Sequence, residues 1–217
     1  MRAWDVMFND YLASRNDGQA PYTEADYFAF VDGKPRYDGV SAFLQSRGIE
    51  LPFGSPSDPG ELETVCGLGN RKNDTFSRVL TDEGVQPYPG SLRLIESLAE
   101  RDFPMAIVSS SKNAPAVLEA ADVAAFFPVV MHGGLAELRG LPGKPAPDTF
   151  VAAAADLGVD VGRSVVLEDA ISGVRAGATG GFGLVIGVDR GVGAAALTDA
   201  GAGMVVSDLA ELVEEHS

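Results

Sequence analysis

The stretch SVVLEDAISGVRAG, residues 164–177, decides the fold of this chain: an apolar run ends in two carboxylates and leads into small and apolar residues. Runs that are apolar at every position are typical of strands buried on both faces of a parallel sheet. Four other runs share this character: MAIVS (105–109), PVVM (128–131), GLVIG (183–187) and GMVVS (203–207). The spacing predicts crossover helices over 91–100, 114–121, 148–157 and 173–178, and therefore a doubly wound, Rossmann-like α/β core.

The pattern before residue 87 is helical throughout. Apolar residues recur three and four positions apart, as in Ala3, Met7, Phe8, Tyr11 and Leu12. Glycine and proline interrupt this pattern at 17–21, 32–35 and 52–60, which indicates several short helices joined by loops. We therefore predict a helical cap domain over residues 1–86 and an α/β core domain over residues 87–217.

Composition excludes several classes of function. The formal net charge is -15 and the sequence pI is about 4.4, which disfavours nucleic acid as a partner because that binding depends on Lys and Arg. Cys66 is the only cysteine, so no disulfide framework is possible. No apolar run reaches the roughly 20 residues that cross a bilayer. We expect a cytoplasmic protein that does not bind membranes and acts on a small molecule.

Polar side chains follow the apolar runs at positions where a parallel sheet binds ligands. Ser109 ends one run, Glu168 and Asp169 end another, and Lys144 lies in a loop before a predicted helix. Because ligands bind outside the carboxyl ends of parallel strands, we expect these four residues on one rim. They could hold a phosphate together with a hard cation such as Mg²⁺. Taken singly, each has a simpler reading: acidic residues open a loop, or Asp169 caps a helix.

Three segments, VSSSKN (108–113), GKPAP (143–147) and VVLEDAISGVRAG (165–177), carry a family resemblance. In this order and at these separations they resemble motifs two, three and four of the haloacid dehalogenase superfamily. The likeness is greatest to its β-phosphoglucomutase-like subfamily, and it extends along nearly the whole chain. It implies an α/β core with a helical cap and a Mg²⁺-dependent phosphoryl transfer.

The resemblance implies a role for each matching residue in the core. Ser109 would hydrogen-bond the transferring phosphoryl group and Lys144 would neutralise its charge. Asp169 would be the principal Mg²⁺ ligand, and Glu168 would ligate or support the metal.

The resemblance also implies a second set of residues that bind the rest of the substrate. Ser110, Ser111, Lys112 and Asn113 would bind it, the last three through its distal phosphate. Arg36 in the cap would clamp the same phosphate, and Lys72 would contact sugar hydroxyls. Taken singly, Arg36 and Lys72 could equally be solvated surface charges.

Three functions follow from the resemblance and stay open on the sequence alone. The first is a β-phosphoglucomutase-like exchange between sugar 1-phosphates and 6-phosphates through a bisphosphate. The second is a phosphatase acting on a small sugar or polyol phosphate. The third is a module that binds Mg²⁺ and phosphosugars, or a partner, without turnover. We expect a monomer or a homodimer.

The first motif of the family, an Asp-x-Asp at the end of a strand, has no match in these 217 residues. It would supply the aspartate that becomes an aspartyl phosphate and the aspartate that acts as general acid and base. We therefore expect an N-terminally shortened form of a longer protein that lacks the first central strand. A strand supplied by another chain is the alternative.

Overall fold

The computed structural model describes residues 2–213, which form two compact units: unit 1 extends to Gly84 and unit 2 begins at Val85. Unit 1 is helical. Its helices are α1 Arg2–Arg15, α2 Glu24–Asp26, the π-helical turn Tyr27–Val31, α3 Arg36–Ser46 and α4 Val65–Glu83.

The core of unit 1 is aromatic. Helix α1 buries Trp4, Met7, Phe8, Tyr11 and Leu12, which lie on one face because they recur at helical spacing. The ring centroid of Phe8 is 4.2 Å from that of Phe43 on α3 and 4.9 Å from that of Tyr22. Packing of α1 and α3 against α4 therefore encloses a single apolar core.

Unit 2 is an α/β structure that begins with helix α5 Pro89–Ala99. Its strands are β1 Ala106–Val108, β2 Val129–Met131, β3 Val165–Glu168, β4 Leu184–Val188 and β5 Met204–Val206. Its other α-helices are α6 Ala114–Ala120, α7 Gly133–Leu138, α8 Asp148–Leu157, α9 Ile171–Thr179 and α10 Ala194–Asp199. Three short 3-10 helices complete it: Ala124–Phe126, Val161–Arg163 and Leu209–Leu212.

The five strands form two parallel sheets. In the first sheet β1 pairs with β2, with Ile107 opposite Val130. In the second the order is β3-β4-β5, with Val166 opposite Val185. Strands β1 and β3 are thus both edge strands, and α8 packs on the first sheet while α9 and α10 pack on the second. The α/β architecture predicted from the sequence is confirmed.

Strand β3 departs from one expectation. We predicted burial on both faces, but the side chains alternate: Val166 and Glu168 are buried, whereas Val165 and Leu167 are 52% and 39% exposed. The reason is that the buried face packs under α9, whereas the face with Val165 and Leu167 is not covered to the same extent. Helices α7 and α10 were also not predicted.

Within residues 2–213 no helix is both long enough and apolar enough to cross a membrane.

Candidate functional site

A buried ion pair joins the carboxyl ends of β1 and β3. The Lys144 ammonium contacts the Glu168 carboxylate and donates a hydrogen bond to the Val108 carbonyl oxygen at 3.1 Å. The side chains of Lys144 and Glu168 are only 7% and 8% exposed. Two of the residues expected on one rim therefore lie in contact. Because Val108 is the last residue of β1, Lys144 connects the ends of strands from different sheets.

Both oxygens of the Glu168 carboxylate are engaged. Oε1 faces Lys144, and Oε2 accepts a hydrogen bond from the Ala170 backbone amide at 3.2 Å. In the first turn of α9, Gly173 lies directly beneath this carboxylate, and a Cβ there would overlap it. Glycine at 173 therefore allows the close approach that keeps Glu168 in place.

Asp169, the neighbouring carboxylate, is in the opposite situation. It is exposed, and within residues 2–213 its side chain makes no hydrogen bond and no ion pair. The N-cap of α9 is Ala170, so the reading of Asp169 as a helix cap is wrong. Its carboxylate is available to a ligand at the rim.

These two carboxylates fit part of what Mg²⁺ requires. No group of three or more His, Cys, Asp or Glu side chains in the described part of the chain could hold a metal. Magnesium, however, commonly takes one or two carboxylates and completes its six oxygens with phosphate and water. Because Glu168 is held by Lys144, Asp169 is the residue whose oxygens are free for such an ion.

The loop after β1 is organised by its own hydroxyl groups. The Ser111 amide donates to the Ser109 Oγ at 3.1 Å, and the Asn113 amide donates to the Ser111 Oγ at 3.1 Å. Asn113 is then the N-cap residue of α6. The predicted set from Ser109 to Asn113, which includes Ser110, thus forms one tight turn between strand and helix.

Lys112 in this loop has a partner that the sequence analysis did not find. Its ammonium forms an ion pair with Glu137 on α7, and the two side chains are 46% and 63% exposed. Such exposed pairs are weak because water screens them. The charge of Lys112 is consequently balanced in this structure, but by a contact that an incoming anion could replace.

The two predicted cap residues lie in unit 1. Arg36 is the first residue of α3, and its guanidinium donates to the Asn70 Oδ1 at 3.1 Å and the Asn73 Oδ1 at 2.9 Å. The Tyr37 hydroxyl also donates to the Asn70 Oδ1, at 3.0 Å. Neither asparagine was predicted to be a site residue, although their spacing of three residues on one helix face was a signal.

Lys72 lies between two aromatic rings. Its Nζ is 4.9 Å from the centroid of Trp4 and 4.7 Å from that of Phe76. Burial, and then the positive charge of Arg36, lower the pKa of Lys72 to about 8. A cation in this environment is stabilised by a nearby anion, because the anion offsets both the desolvation and the repulsion.

Comparison with known proteins assigns the family. The sequence model of the haloacid dehalogenase-like hydrolase family matches residues 18–181 of this chain. The chain belongs to the haloacid dehalogenase-like hydrolase family. A β-phosphoglucomutase of Mycobacterium bovis is 46% identical over 220 residues, covering 98% of this chain and 84% of the relative. A β-phosphoglucomutase of Bacillus subtilis is 34% identical over 162 residues, covering 74% and 66%.

Solved structures show the same haloacid dehalogenase fold. A β-phosphoglucomutase from Clostridium difficile has a TM-score of 0.78 at 18% identity and covers 99% of this chain and 87% of its own. A CbbY protein from Rhodobacter sphaeroides in complex with xylulose-(1,5)bisphosphate has a TM-score of 0.74 at 21% identity, covering 97% and 89%. The resemblance found in the three sequence segments is therefore confirmed for the family and the fold.

Proposed function

We propose that this protein is a β-phosphoglucomutase-like phosphotransferase that acts on a small sugar phosphate. The observation that carries the proposal is the buried Lys144 ammonium at the ends of β1 and β3, together with the exposed carboxylate of Asp169, the residue that follows Glu168 in the chain. A fixed cation and a free carboxylate at the end of the same strand suit a phosphoryl group and its counterion. The 46% identity to a β-phosphoglucomutase supports the same substrate class.

The roles of the core residues follow from this arrangement. Lys144 neutralises the charge of the transferring phosphoryl group, and the Glu168 carboxylate keeps the Lys144 ammonium in place through their ion pair. Ser109 donates its hydroxyl hydrogen to a phosphoryl oxygen, since its Oγ already accepts from the Ser111 amide. Asp169, assisted by Glu168, would hold Mg²⁺, which when bound supplies positive charge to the phosphate oxygens.

The remaining predicted residues would bind the rest of the substrate. The loop residues Ser110, Ser111, Lys112 and Asn113 supply donors at the start of α6 for a second phosphate. In unit 1 the planar guanidinium of Arg36 suits a phosphate, and Lys72 suits the oxygens of a sugar. In the proposed covalent step an aspartate oxygen would bond to phosphorus as the bond from phosphorus to the sugar oxygen breaks, and the sugar oxygen would take up a proton, which leaves an aspartyl phosphate and a sugar hydroxyl. Its nucleophile is not assigned to any residue of these 217, because the sequence contains no Asp-x-Asp.

A phosphatase is the second candidate, favoured by the match to a family of hydrolases. The same core would bind the phosphate, but water rather than a sugar hydroxyl would receive it.

Two measurements on a panel of sugar phosphates with Mg²⁺ test the proposal. A coupled assay detects the isomeric sugar phosphate, and a phosphate assay detects inorganic phosphate. Isomer without phosphate release supports the mutase, and phosphate release supports the phosphatase. If the protein shows no turnover, calorimetric titration with glucose 1,6-bisphosphate tests binding alone. Binding that is weaker in the Asp169→Ala variant supports the proposed site without turnover. Absence of both binding and turnover overturns the proposal.

A further inference from the structure

The guanidinium of Arg36 is held by neutral groups. Its two terminal nitrogens donate to the amide oxygens of Asn70 and Asn73, at 3.1 Å and 2.9 Å. In the part of the chain that the structure describes, no carboxylate lies within ion-pair distance of this guanidinium. The fork of Arg36 is thus fixed in direction while its positive charge remains unbalanced.

Asn70 is itself fixed on all sides. Its Nδ2 donates to the carbonyl oxygens of Pro56 at 3.1 Å and Asp58 at 2.8 Å. Its Oδ1 accepts from both Arg36 and the Tyr37 hydroxyl. Because the two donor bonds determine which end of the amide faces the loop, the oxygen must face Arg36. An aspartate at this position could not donate to the two carbonyls.

Helix packing brings Asn70 to this place. A Cβ at Gly69 would lie 2.8 Å from the Tyr37 Cδ1 and 3.1 Å from the Arg36 Cδ. Only glycine therefore lets α4 approach the start of α3 so closely. The next residue along α4 is Asn70, which this approach places within hydrogen-bonding distance of Arg36.

A second cation adds to the charge at this position. Lys72 follows Asn70 by two residues, and the charge of Arg36 contributes to the lowered pKa of Lys72. Two cations held near each other without a carboxylate partner repel one another. A bound anion would offset this repulsion.

We propose that Asn70 is a positioning residue that holds the Arg36 fork ready for a substrate phosphate without neutralising it. This inference rests on the proposed function, since it concerns the same substrate. An amide oxygen orients the guanidinium as a carboxylate would, but it leaves the charge available. Asparagine rather than aspartate at position 70 consequently sets the affinity of unit 1 for phosphate.

Substitution of Asn70 tests the inference through the dissociation constant of glucose 1,6-bisphosphate, measured by calorimetry at fixed pH and salt. We expect Asn70→Ala to weaken binding about fivefold, the effect of one lost orienting hydrogen bond. We expect Asn70→Asp to weaken it by roughly tenfold to a hundredfold, because the new carboxylate pairs with Arg36 and competes with the phosphate.

A double-mutant cycle separates positioning from general structural damage. If Asn70 acts through Arg36, Asn70→Asp has no further effect once Arg36→Met has removed the guanidinium. A merely structural role would weaken binding in both backgrounds. Asn9→Asp is the matched control, because Asn9 is another asparagine of unit 1 with hydrogen bonds to a backbone amide and a carbonyl. It should leave the dissociation constant unchanged.

The outcomes distinguish this inference from the proposed function. If the unsubstituted protein neither binds the bisphosphate nor turns over a sugar phosphate of the panel, both are wrong; if it has turnover but does not bind the bisphosphate, only the inference about Asn70 is wrong. If it binds, and Arg36→Met weakens binding while neither Asn70 variant does, only the role of Asn70 is wrong. Urea unfolding of each variant shows whether it is folded, and Asn70→Ala, which adds no charge, serves if Asn70→Asp does not fold.

Discussion

The two units hold the cations of the predicted site in opposite ways. In unit 2, Lys144 and Lys112 each face a glutamate, the first in a buried pair and the second in an exposed one. In unit 1, Arg36 is held by amide oxygens and Lys72 by aromatic rings. A cation paired with a carboxylate is already balanced in the free protein, whereas one held by neutral groups is balanced only when an anion binds.

The same substitution, lysine to methionine, measures this difference at three positions. Methionine retains most of the volume of lysine and removes the charge. The buried pair, the partly buried Lys72 without a carboxylate partner, and the exposed pair should then change the free energy of unfolding by different amounts and with different signs.

The largest effect is expected at Lys144. Lys144→Met leaves Glu168 charged, buried and without its partner, and breaking such a pair typically costs about 3–5 kcal/mol of the free energy of unfolding. Urea unfolding measures this loss. The double variant Lys144→Met with Glu168→Gln should recover part of it, because the buried charge is gone. A loss below about 1 kcal/mol would show that the pair is solvated and would remove the contrast with Lys112.

Lys72 should give an intermediate effect that depends on pH. The pKa of Lys72 is lowered to about 8 in the folded protein, whereas its ordinary value is 10.5. Between these two pH values Lys72 is mostly protonated in the unfolded chain and mostly neutral in the folded protein. The stability that Lys72 contributes therefore rises across that window, and below pH 8 its partly buried charge opposes folding.

The measurement is the difference in unfolding free energy between the natural protein and Lys72→Met as a function of pH. At pH 7 we expect the variant to be as stable or more stable. From pH 8 to 10.5 the free energy of unfolding of the unsubstituted protein should rise by roughly 2–3 kcal/mol relative to that of Lys72→Met, as expected from proton linkage for this shift in pKa. A flat difference across this window would contradict an uncompensated Lys72.

The smallest effect is expected at the exposed pair. Lys112→Met and Glu137→Gln should each change the free energy of unfolding by less than about 1 kcal/mol, because both side chains are largely in water. Raising the salt concentration should reduce even this difference. A larger loss would mean that Lys112 is part of the fold, which would make it less available to a substrate.

Much of the fold could be predicted because it depends on local pattern. The apolar runs mark all five strands to within two residues at either end, and α8 begins and ends where its spacing indicates. Helix α7 was missed because it starts with Gly133 and Gly134, which are poor helix formers, and it is capped by the Nδ1 of His132. The partial exposure of β3 depends on sheet order, which apolarity alone does not indicate.

The site was predictable to a lesser degree. Lys144 and Glu168 were expected on one rim because both follow from the rule that ligands bind at the carboxyl ends of strands. The partners of Arg36 were not expected, since Asn70 and Asn73 are 34 and 37 residues away along the chain. The sequence from Gly48 to Gly60 indicated a loop but no role for it, because the carbonyl groups of Pro56 and Asp58 bind Asn70 whatever their side chains are.

Lys144 has a further consequence for how unit 2 unfolds. Its ammonium bonds to the last residue of β1 and the last residue of β3, and within residues 2–213 no strand pairing joins the sheets to which these strands belong. Loss of the β3 end leaves the ammonium without its carboxylate, and loss of the β1 end removes the Val108 carbonyl oxygen from it. This side chain therefore adds to the coupling between the two sheets that the apolar packing of Val108 with Phe150 and Val166 already provides, and it does so at the point where we propose that substrate binds.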